Sequence, residues 1–148
     1  MKNPVFVVPG AMEALHAVNA TVDNTKLPAL TKGLVELRAS QINACSVCVD
    51  MHWRMMKKLG ETDDRIHAVA AWRHTPYFTA AERAALALAE AVTRIADRED
   101  AISDEVWAEV ARHYDEPTLG ALLLAIANIN TWNRLNVAVA QIVGDWKP

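Results

Sequence analysis

Two cysteines and one histidine lie within eight residues of one another in the segment QINACSVCVDMH. Cys45 and Cys48 are the only cysteines of the chain, and His52 follows four residues after Cys48. Such a cluster fits metal binding, an inert structural turn or thiol redox chemistry. A zinc site would need about four ligands, with His67 or His74 as distant candidates. Three ligands on one helix stripe make a poor tetrahedron, so the pattern favours thiol chemistry.

The segment from about 45 to 59 predicts a helix with one inward stripe. On a helical wheel the stripe contains Cys45, Cys48, His52, Met55, Met56 and Leu59. The two cysteines lie in the first turn of this predicted helix, where free N–H groups and the helix dipole stabilise thiolates. A histidine one turn away can take the thiol proton. Together these features indicate an activated dithiol.

Glu36 is a further candidate for proton transfer, on the preceding predicted helix. It shares a face with small residues, Ala29, Gly33 and Ser40, which suggests close approach by another helix or a small cavity. If that face is turned toward the cysteines, Glu36 would relay protons to the thiols. The alternative is a solvated glutamate near Lys32.

Helical spacing recurs along almost the whole chain, and no alternating strand pattern develops. The fold prediction is therefore all-α, with about seven helices in a single domain over 1–148. Their expected bounds are about 11–22, Pro28 to Asn43, 45–59 ending before Gly60, Thr62 to Trp72, Thr79 to Ala96, Ser103 to Tyr114, and Pro117 to Val143. Thr79 and Glu82 have the spacing of a capping box.

The last predicted helix contains four asparagines in an apolar stretch: Asn128, Asn130, Asn133 and Asn136. Asparagine is unfavourable in a helix interior, by roughly 0.5 kcal/mol relative to alanine, and buried amides need hydrogen-bond partners. We expect these side chains to bridge to other helices or across a subunit interface, and to serve packing rather than catalysis.

The composition excludes several classes of partner. The 148 residues are 52% hydrophobic and 22% charged, with a net charge of −3, which is typical of a globular domain. No basic stripe is present, so neither nucleic acid nor an anionic membrane is an expected partner. The apolar run at the N-terminus is short and broken by Pro9 and Gly10, unlike a signal peptide or a spanning helix. A cytoplasmic location is expected, where paired cysteines are more often catalytic or metal-binding than structural.

Longer motifs surround the cysteine pair. The segments ELRASQINACSVCVDMHWRMMKKLGE, AVAAWRHTPYFTAAERAALALAEAVT and LLLAIANINTWNRLNVAVA resemble the alkylhydroperoxidase D (AhpD)-like branch of the carboxymuconolactone decarboxylase superfamily. The resemblance runs from about Leu34 to about Ala140. It implies a helical fold that assembles into trimers or hexamers and a dithiol that reduces hydroperoxides, with no cofactor and no metal.

The resemblance also implies roles for individual residues. Cys48 would attack the peroxide as a thiolate, Cys45 would resolve the resulting sulfenic acid to a Cys45–Cys48 disulfide, and His52 would assist proton transfer. The family's relay glutamate would fall at Gly33, where the small residue would leave room, so Glu36 is the candidate one turn later. Val47 replaces a histidine of the family. The reductant would be a thiol or a lipoyl-bearing partner.

Two other functions stay open. A lactone decarboxylase of the same superfamily would need cationic groups for a carboxylate and has no need of two cysteines. A thiol stress sensor or oligomeric binding protein would use the disulfide to change its packing. Met55, Met56 and the tryptophans suggest an apolar lining that suits an alkyl peroxide. The broad apolar faces, with Trp107, Trp132 and Trp146 in the last third of the chain, predict association with further copies.

Overall fold

The computed structural model describes residues 1–97, 99–100 and 102–144. Within them the chain forms helices and no strand, which confirms the all-α prediction. The α-helices are α1 (Ala11–Asp23), α2 (Ala29–Ile42), α3 (Ser46–Lys58), α4 (Asp63–Ala68), α5 (Ala80–Thr93), α6 (Asp104–His113) and α7 (Glu116–Ala138). Short 3₁₀ turns cover Pro4–Phe6, Val69–His74 and Ile95–Asp97.

Local capping explains why several helices begin where the sequence predicts. The side chain of Thr79 accepts a hydrogen bond from the Glu82 backbone N–H while the Glu82 carboxylate accepts one from Thr79 N–H, so the capping box is present. Ser103 caps α6 by accepting from the Val106 backbone N–H. These contacts satisfy N–H groups that have no partner within the helix.

Helix α3 ends as the glycine at position 60 predicts. Gly60 has φ +86, a left-handed conformation that costs glycine little. Its N–H donates to the Lys57 carbonyl, and the Glu61 N–H donates to the Met56 carbonyl. These two hydrogen bonds together form a Schellman motif, and the motif fixes where the helix that carries Cys48 and His52 ends.

Three predicted helix ends were wrong. Helix α4 ends at Ala68 rather than at Trp72. A 3₁₀ turn follows it, and within this turn Ala71 leaves helical geometry (φ −126, ψ 30). Helix α5 stops at Thr93 rather than at Ala96. Helix α7 stops at Ala138 rather than at Val143, because the chain turns through a left-handed residue, Ala140 (φ 54).

Helix α2 lies at the centre of the fold. Its residues 31–37 are all buried, and it separates two apolar clusters. One cluster includes Val35, Leu88 and Ile126, and the other includes Leu34 and Met56. A helix covered on nearly every side carries its polar side chains into the interior, and this places Glu36 inside the protein.

Helices α2 and α3 pack closely at Gly33. A Cβ atom at this position would lie 2.9 Å from Cγ of Met56, which is shorter than real side chains allow. The expectation that Gly33 leaves room near the thiols was therefore wrong, since the Met56 side chain fills that space. An acid at position 33 would require the Met56 side chain to move, whereas Glu36 stands a turn later without such a shift.

Candidate active site

The cysteine pair lies at the corner between α2 and α3. Ala44 takes a left-handed conformation (φ 53) that turns the chain, and Cys45 then serves as the N-cap residue of α3. Cys45 and Cys48 are joined as a disulfide, with their Cα atoms 5.4 Å apart. Both side chains are almost fully buried. The predicted position of the pair at a helix start is confirmed.

A partly open cavity of about 370 Å³ adjoins Cys48. Cys48 belongs to its wall, whereas Cys45 does not. The apolar part of the wall consists of Val5, Phe6, Met12, Ala20, Val47, Met51, Met55, Ile129 and Trp132. The volume is that of a pocket for a small organic molecule. A molecule in this cavity would therefore meet the sulfur of Cys48 before that of Cys45.

His52 and Glu36 meet on another part of the cavity wall. His52 Nδ1 lies 3.5 Å from Glu36 Oε2, and both side chains are about 3% exposed. Neither ring nitrogen of His52 has a hydrogen-bond partner among the described residues. His52 belongs to the cavity wall, so the partner that buried ring nitrogens require would come from the cavity.

Burial changes the proton affinity of both groups. Desolvation raises the pKa of Glu36 to about 7, although the nearby Lys32 ammonium opposes the rise. Desolvation, aided by the Lys32 charge, lowers the pKa of His52 to about 4. At neutral pH His52 is therefore uncharged. Glu36 gains and loses its proton close to neutral pH, because its pKa is about 7. The pair can accept a proton and pass it on.

Lys32 connects this pair to the outside. Its ammonium lies 2.7 Å from Asp23 Oδ1 and 3.9 Å from Glu36 Oε1. Lys32 is buried and Asp23 is exposed. The glutamate is therefore not the solvated residue near Lys32 that the sequence left as an alternative. Lys32 stands between a buried carboxyl group and a surface carboxylate.

The asparagines of α7 bridge to other helices, as predicted. Asn128 donates to the Leu15 carbonyl in α1, and Asn133 donates to Ser40 Oγ in α2. Asn136 differs, because its Nδ2 lies 3.2 Å from Cys48 Sγ. The prediction treated all four amides alike and missed this contact. A usable signal was present, since Asn136 shares a face of α7 with the cavity residues Ile129 and Trp132.

Three of the four predicted site residues, Cys48, His52 and Glu36, line the same cavity, and the fourth, Cys45, is joined to Cys48 by the disulfide. Other expectations for the lining change. Met56 packs against Gly33 instead, and Met55, although it reaches the wall, is exposed. Trp132 lines the cavity and Trp107 is exposed, whereas Trp146 lies outside the described residues.

No group of three or more histidine, cysteine or acidic side chains suited to a metal ion occurs within the described ranges. His67 and His74, the distant ligand candidates, are exposed and are not part of the cavity wall. In the same part of the chain, no helix is both long and apolar enough to cross a membrane.

Comparison with known proteins gives concordant results. The sequence model of the carboxymuconolactone decarboxylase family matches residues 9–91. YdfG, an uncharacterized protein of Bacillus subtilis (strain 168), is 34% identical over 135 residues, which cover 91% of this chain and 90% of YdfG. The solved structure of a protein of unknown function from Agrobacterium tumefaciens, provisionally described as the antioxidant defence protein AhpD, matches with a TM-score of 0.87. Its identity is 33%, over 99% of this chain and 96% of that one.

A more distant match concerns the fold alone. The debrominase Bmp8, solved in complex with 2,3,4-tribromopyrrole, superposes with a TM-score of 0.84 at 21% identity. The superposition covers 95% of this chain and 74% of Bmp8. The same helical arrangement is thus found in a protein named for a different reaction.

Proposed function

The chain belongs to the carboxymuconolactone decarboxylase family, in its AhpD-like branch, and from this premise we propose that it is a thiol-dependent alkyl hydroperoxidase. The redox pair is Cys45 and Cys48. The observation that carries the proposal is the position of Cys48 in the wall of an apolar cavity, beside a buried histidine without a hydrogen-bond partner.

The first step reduces the peroxide. The Cys48 thiolate attacks the terminal oxygen of the hydroperoxide, the O–O bond breaks, and the alkoxide leaves. Cys48 becomes a sulfenic acid, and the leaving oxygen takes a proton to form the alcohol. His52 accepts the thiol proton beforehand as it passes its own ring proton to the Glu36 carboxylate, whose pKa of about 7 makes it the final acceptor at neutral pH.

The second step converts the sulfenic acid of Cys48 into the Cys45–Cys48 disulfide. The Cys45 thiol attacks the sulfenic sulfur of Cys48, the S–O bond breaks, and water leaves as the disulfide forms. The cycle closes when an external dithiol or two thiols reduce the disulfide and become oxidised themselves. The reductant is of the thiol or lipoyl type, and a reducing compartment, the cytoplasm, would maintain it.

The lining of the cavity supports a substrate with an apolar body. Apolar side chains from α1, α3, α7 and the N-terminal turn make most of the wall, so an alkyl or aryl group would replace water there at a gain in free energy. Hydrogen peroxide would leave this surface uncovered. Organic hydroperoxides are the proposed substrate class.

Lys32 bears on the lactone decarboxylase alternative. It is a cationic group in the cavity wall, which the alternative requires for a carboxylate. Its charge is already met by Asp23 at 2.7 Å and by Glu36 at 3.9 Å. A substrate carboxylate would compete with two anionic partners, so the cavity is better suited to neutral molecules.

Association into trimers or hexamers is part of the proposal. Exposed apolar side chains, among them Phe6, Trp53, Leu59 and Trp107, would be covered by further copies of the chain. Sedimentation velocity of the reduced protein tests this point, and a stable monomer at micromolar concentration would contradict it.

Multiple turnover decides between the enzyme and the thiol sensor. Reduced protein is mixed with excess cumene hydroperoxide and dihydrolipoamide, and alcohol formation is followed with time. We expect many equivalents of alcohol per chain, and none with Cys48→Ser. Consumption of a single equivalent, followed by a change in assembly and no further reaction under any thiol reductant, would identify a sensor.

A further inference from the structure

The amide of Asn136 directs its NH₂ group at the redox pair. Nδ2 lies 3.2 Å from Cys48 Sγ and 3.8 Å from Cys45 Sγ. The other buried amides of α7 donate to oxygen atoms only: Asn128 to Leu15 and Asn19, Asn130 to Thr93 and Ile126, and Asn133 to Ser40. Asn136 alone among them contacts the sulfurs that would react.

The orientation of this amide follows from its partners. The Val5 backbone N–H, which can only donate, lies 3.1 Å from Asn3 Oδ1, so Asn3 must turn its NH₂ group the other way. Asn3 Nδ2 then donates to Asn136 Oδ1 at 2.7 Å and to Gln141 Oε1 at 3.0 Å. With its oxygen held by Asn3, Asn136 has its NH₂ end left for Cys48.

The segments that build this chain of amides are distant in sequence. Asn3 precedes the 3₁₀ turn Pro4–Phe6, and Gln141 follows the left-handed turn at Ala140 that ends α7. Asn3 and Asn136 are both buried. Side chains from the two ends of the chain thus meet and hold one amide in one orientation.

We propose that Asn136 is a catalytic residue whose amide N–H stabilises the Cys48 thiolate, and that Asn3 and Gln141 are positioning residues that fix the direction of this amide. The inference rests on the proposed peroxidase function and adds a residue to it. An N–H donor that already points at the sulfur before the reaction stabilises the thiolate without any rearrangement of the side chain. Its dipole favours the attacking form of Cys48, at 3.2 Å, more than that of Cys45, at 3.8 Å.

Reversing the amide tests the inference without removing Asn136. In Asn3→Asp the new carboxylate still accepts from the Val5 N–H but offers Asn136 an acceptor instead of a donor. Asn136 must then turn its NH₂ group toward position 3 and its oxygen toward Cys48. The thiolate would lose its donor and face an oxygen.

The readout is the pKa of Cys48 in a reduced Cys45→Ser background, from thiolate absorbance near 240 nm as a function of pH. We expect Asn3→Asp to raise this pKa by about one to two units, as loss of a hydrogen bond to a charged group requires. Asn130→Ala is the matched control, since it removes a buried amide of the same helix that is remote from sulfur. It should lower the thermal midpoint and leave the Cys48 pKa unchanged.

A second background separates the effect of the reversed Asn136 amide on the Cys48 pKa from the effect of the new carboxylate charge at position 3. In Asn136→Leu the Cys48 pKa should already be raised, and Asn3→Asp should add much less to it. Equal shifts in both backgrounds, or no shift in either, would overturn the inference.

The pKa readout uses no peroxide, so the inference and the proposed function can fail separately. Shifts as expected, in a protein that consumes no organic hydroperoxide, would leave Asn136 as a thiolate donor and refute the peroxidase proposal. Unchanged pKa values in a protein with full peroxidase turnover would refute the role of Asn136 alone.

Discussion

Two sets of buried polar side chains in this protein differ in whether they have hydrogen-bond partners. On α7, Asn133 is fully buried, and it accepts from Asn43 Nδ2 at 2.9 Å and donates to Ser40 at 3.1 Å. On α3, His52 is equally deep, yet neither of its ring nitrogens has a hydrogen-bond partner among the described residues. The first set lies between packed helices, and the second adjoins the cavity.

The difference separates polar groups that hold the fold from those kept for chemistry. A buried amide with its partners in place stabilises one arrangement of helices, and its loss leaves other groups unpaired. A buried imidazole in a cavity wall can instead pair with whatever occupies the cavity, including a substrate. Asn136 belongs to both sets, because one end of its amide bonds to Asn3 and the other to Cys48.

The largest expected effect is on catalysis, at His52. His52→Gln should lower kcat/KM for organic hydroperoxide by about 10²–10⁴-fold, the usual contribution of a general base. At pH 8, where His52 is uncharged in the folded and the unfolded state, the free energy of unfolding in urea should change by less than about 1 kcal/mol, because no hydrogen bond is lost. A variant that is strongly destabilised, with activity falling only as the folded fraction falls, would remove the distinction between the two sets.

The next effect is on the pH dependence of stability. Glu36, with its pKa raised to about 7 from an ordinary 4.5, binds a proton in the folded state that the unfolded chain releases. Its contribution to stability therefore falls as the pH rises through this range. His52, with its pKa lowered to about 4 from 6.5, has the opposite effect, and its contribution rises between those values. In the wild-type protein the two slopes oppose one another.

Single substitutions should reveal each slope. Glu36→Gln leaves the His52 slope, so the stability of this variant should increase by up to about 3 kcal/mol as the pH rises from 4 to 6.5. His52→Gln should show the reverse, a decrease of similar size between pH 4.5 and 7. Urea unfolding at several pH values measures both. Slopes of the same sign in the two variants would contradict the assigned environments.

The smallest effect, on stability alone, is expected in the satisfied set. Asn133→Ala should lower the free energy of unfolding by about 1–3 kcal/mol, because Ser40 and Asn43 each lose a buried partner. Its kcat/KM, corrected for the folded fraction, should match that of the wild type. A specific loss of activity without destabilisation would place Asn133 in the chemical set instead.

Local signals explain which parts of the fold were predictable. The capping box of Thr79 and Glu82, and the end of α3 at Gly60, depend on residues at most a few positions apart. The wrong ends of α4, α5 and α7 lie where no glycine or proline marks the stop. There the end depends on backbone turns, such as that at Ala140, which residue type does not reveal.

The residues of the candidate site also differ in whether they could be predicted from local sequence signals. Cys45, Cys48 and His52 share one helix stripe, so their proximity could be predicted from spacing, whereas the sequence left open whether Glu36 is turned toward them or toward solvent. Asn3 and Asn136 are separated by 133 positions, and Asn136 and Cys48 by 88. No periodicity connects such residues, because their contact exists only when the whole chain has folded.

The most direct test of the account is to locate the first oxidised sulfur. Reduced Cys45→Ser is treated with one equivalent of cumene hydroperoxide in the presence of dimedone, and the adduct is mapped by peptide mass spectrometry. The account predicts one dimedone adduct on Cys48, formed together with one equivalent of alcohol, and no adduct in Cys48→Ser treated in the same way. An adduct on Cys45 in Cys48→Ser at a comparable rate, or no adduct faster than a free thiol gives, would contradict the assignment of Cys48 as the attacking sulfur.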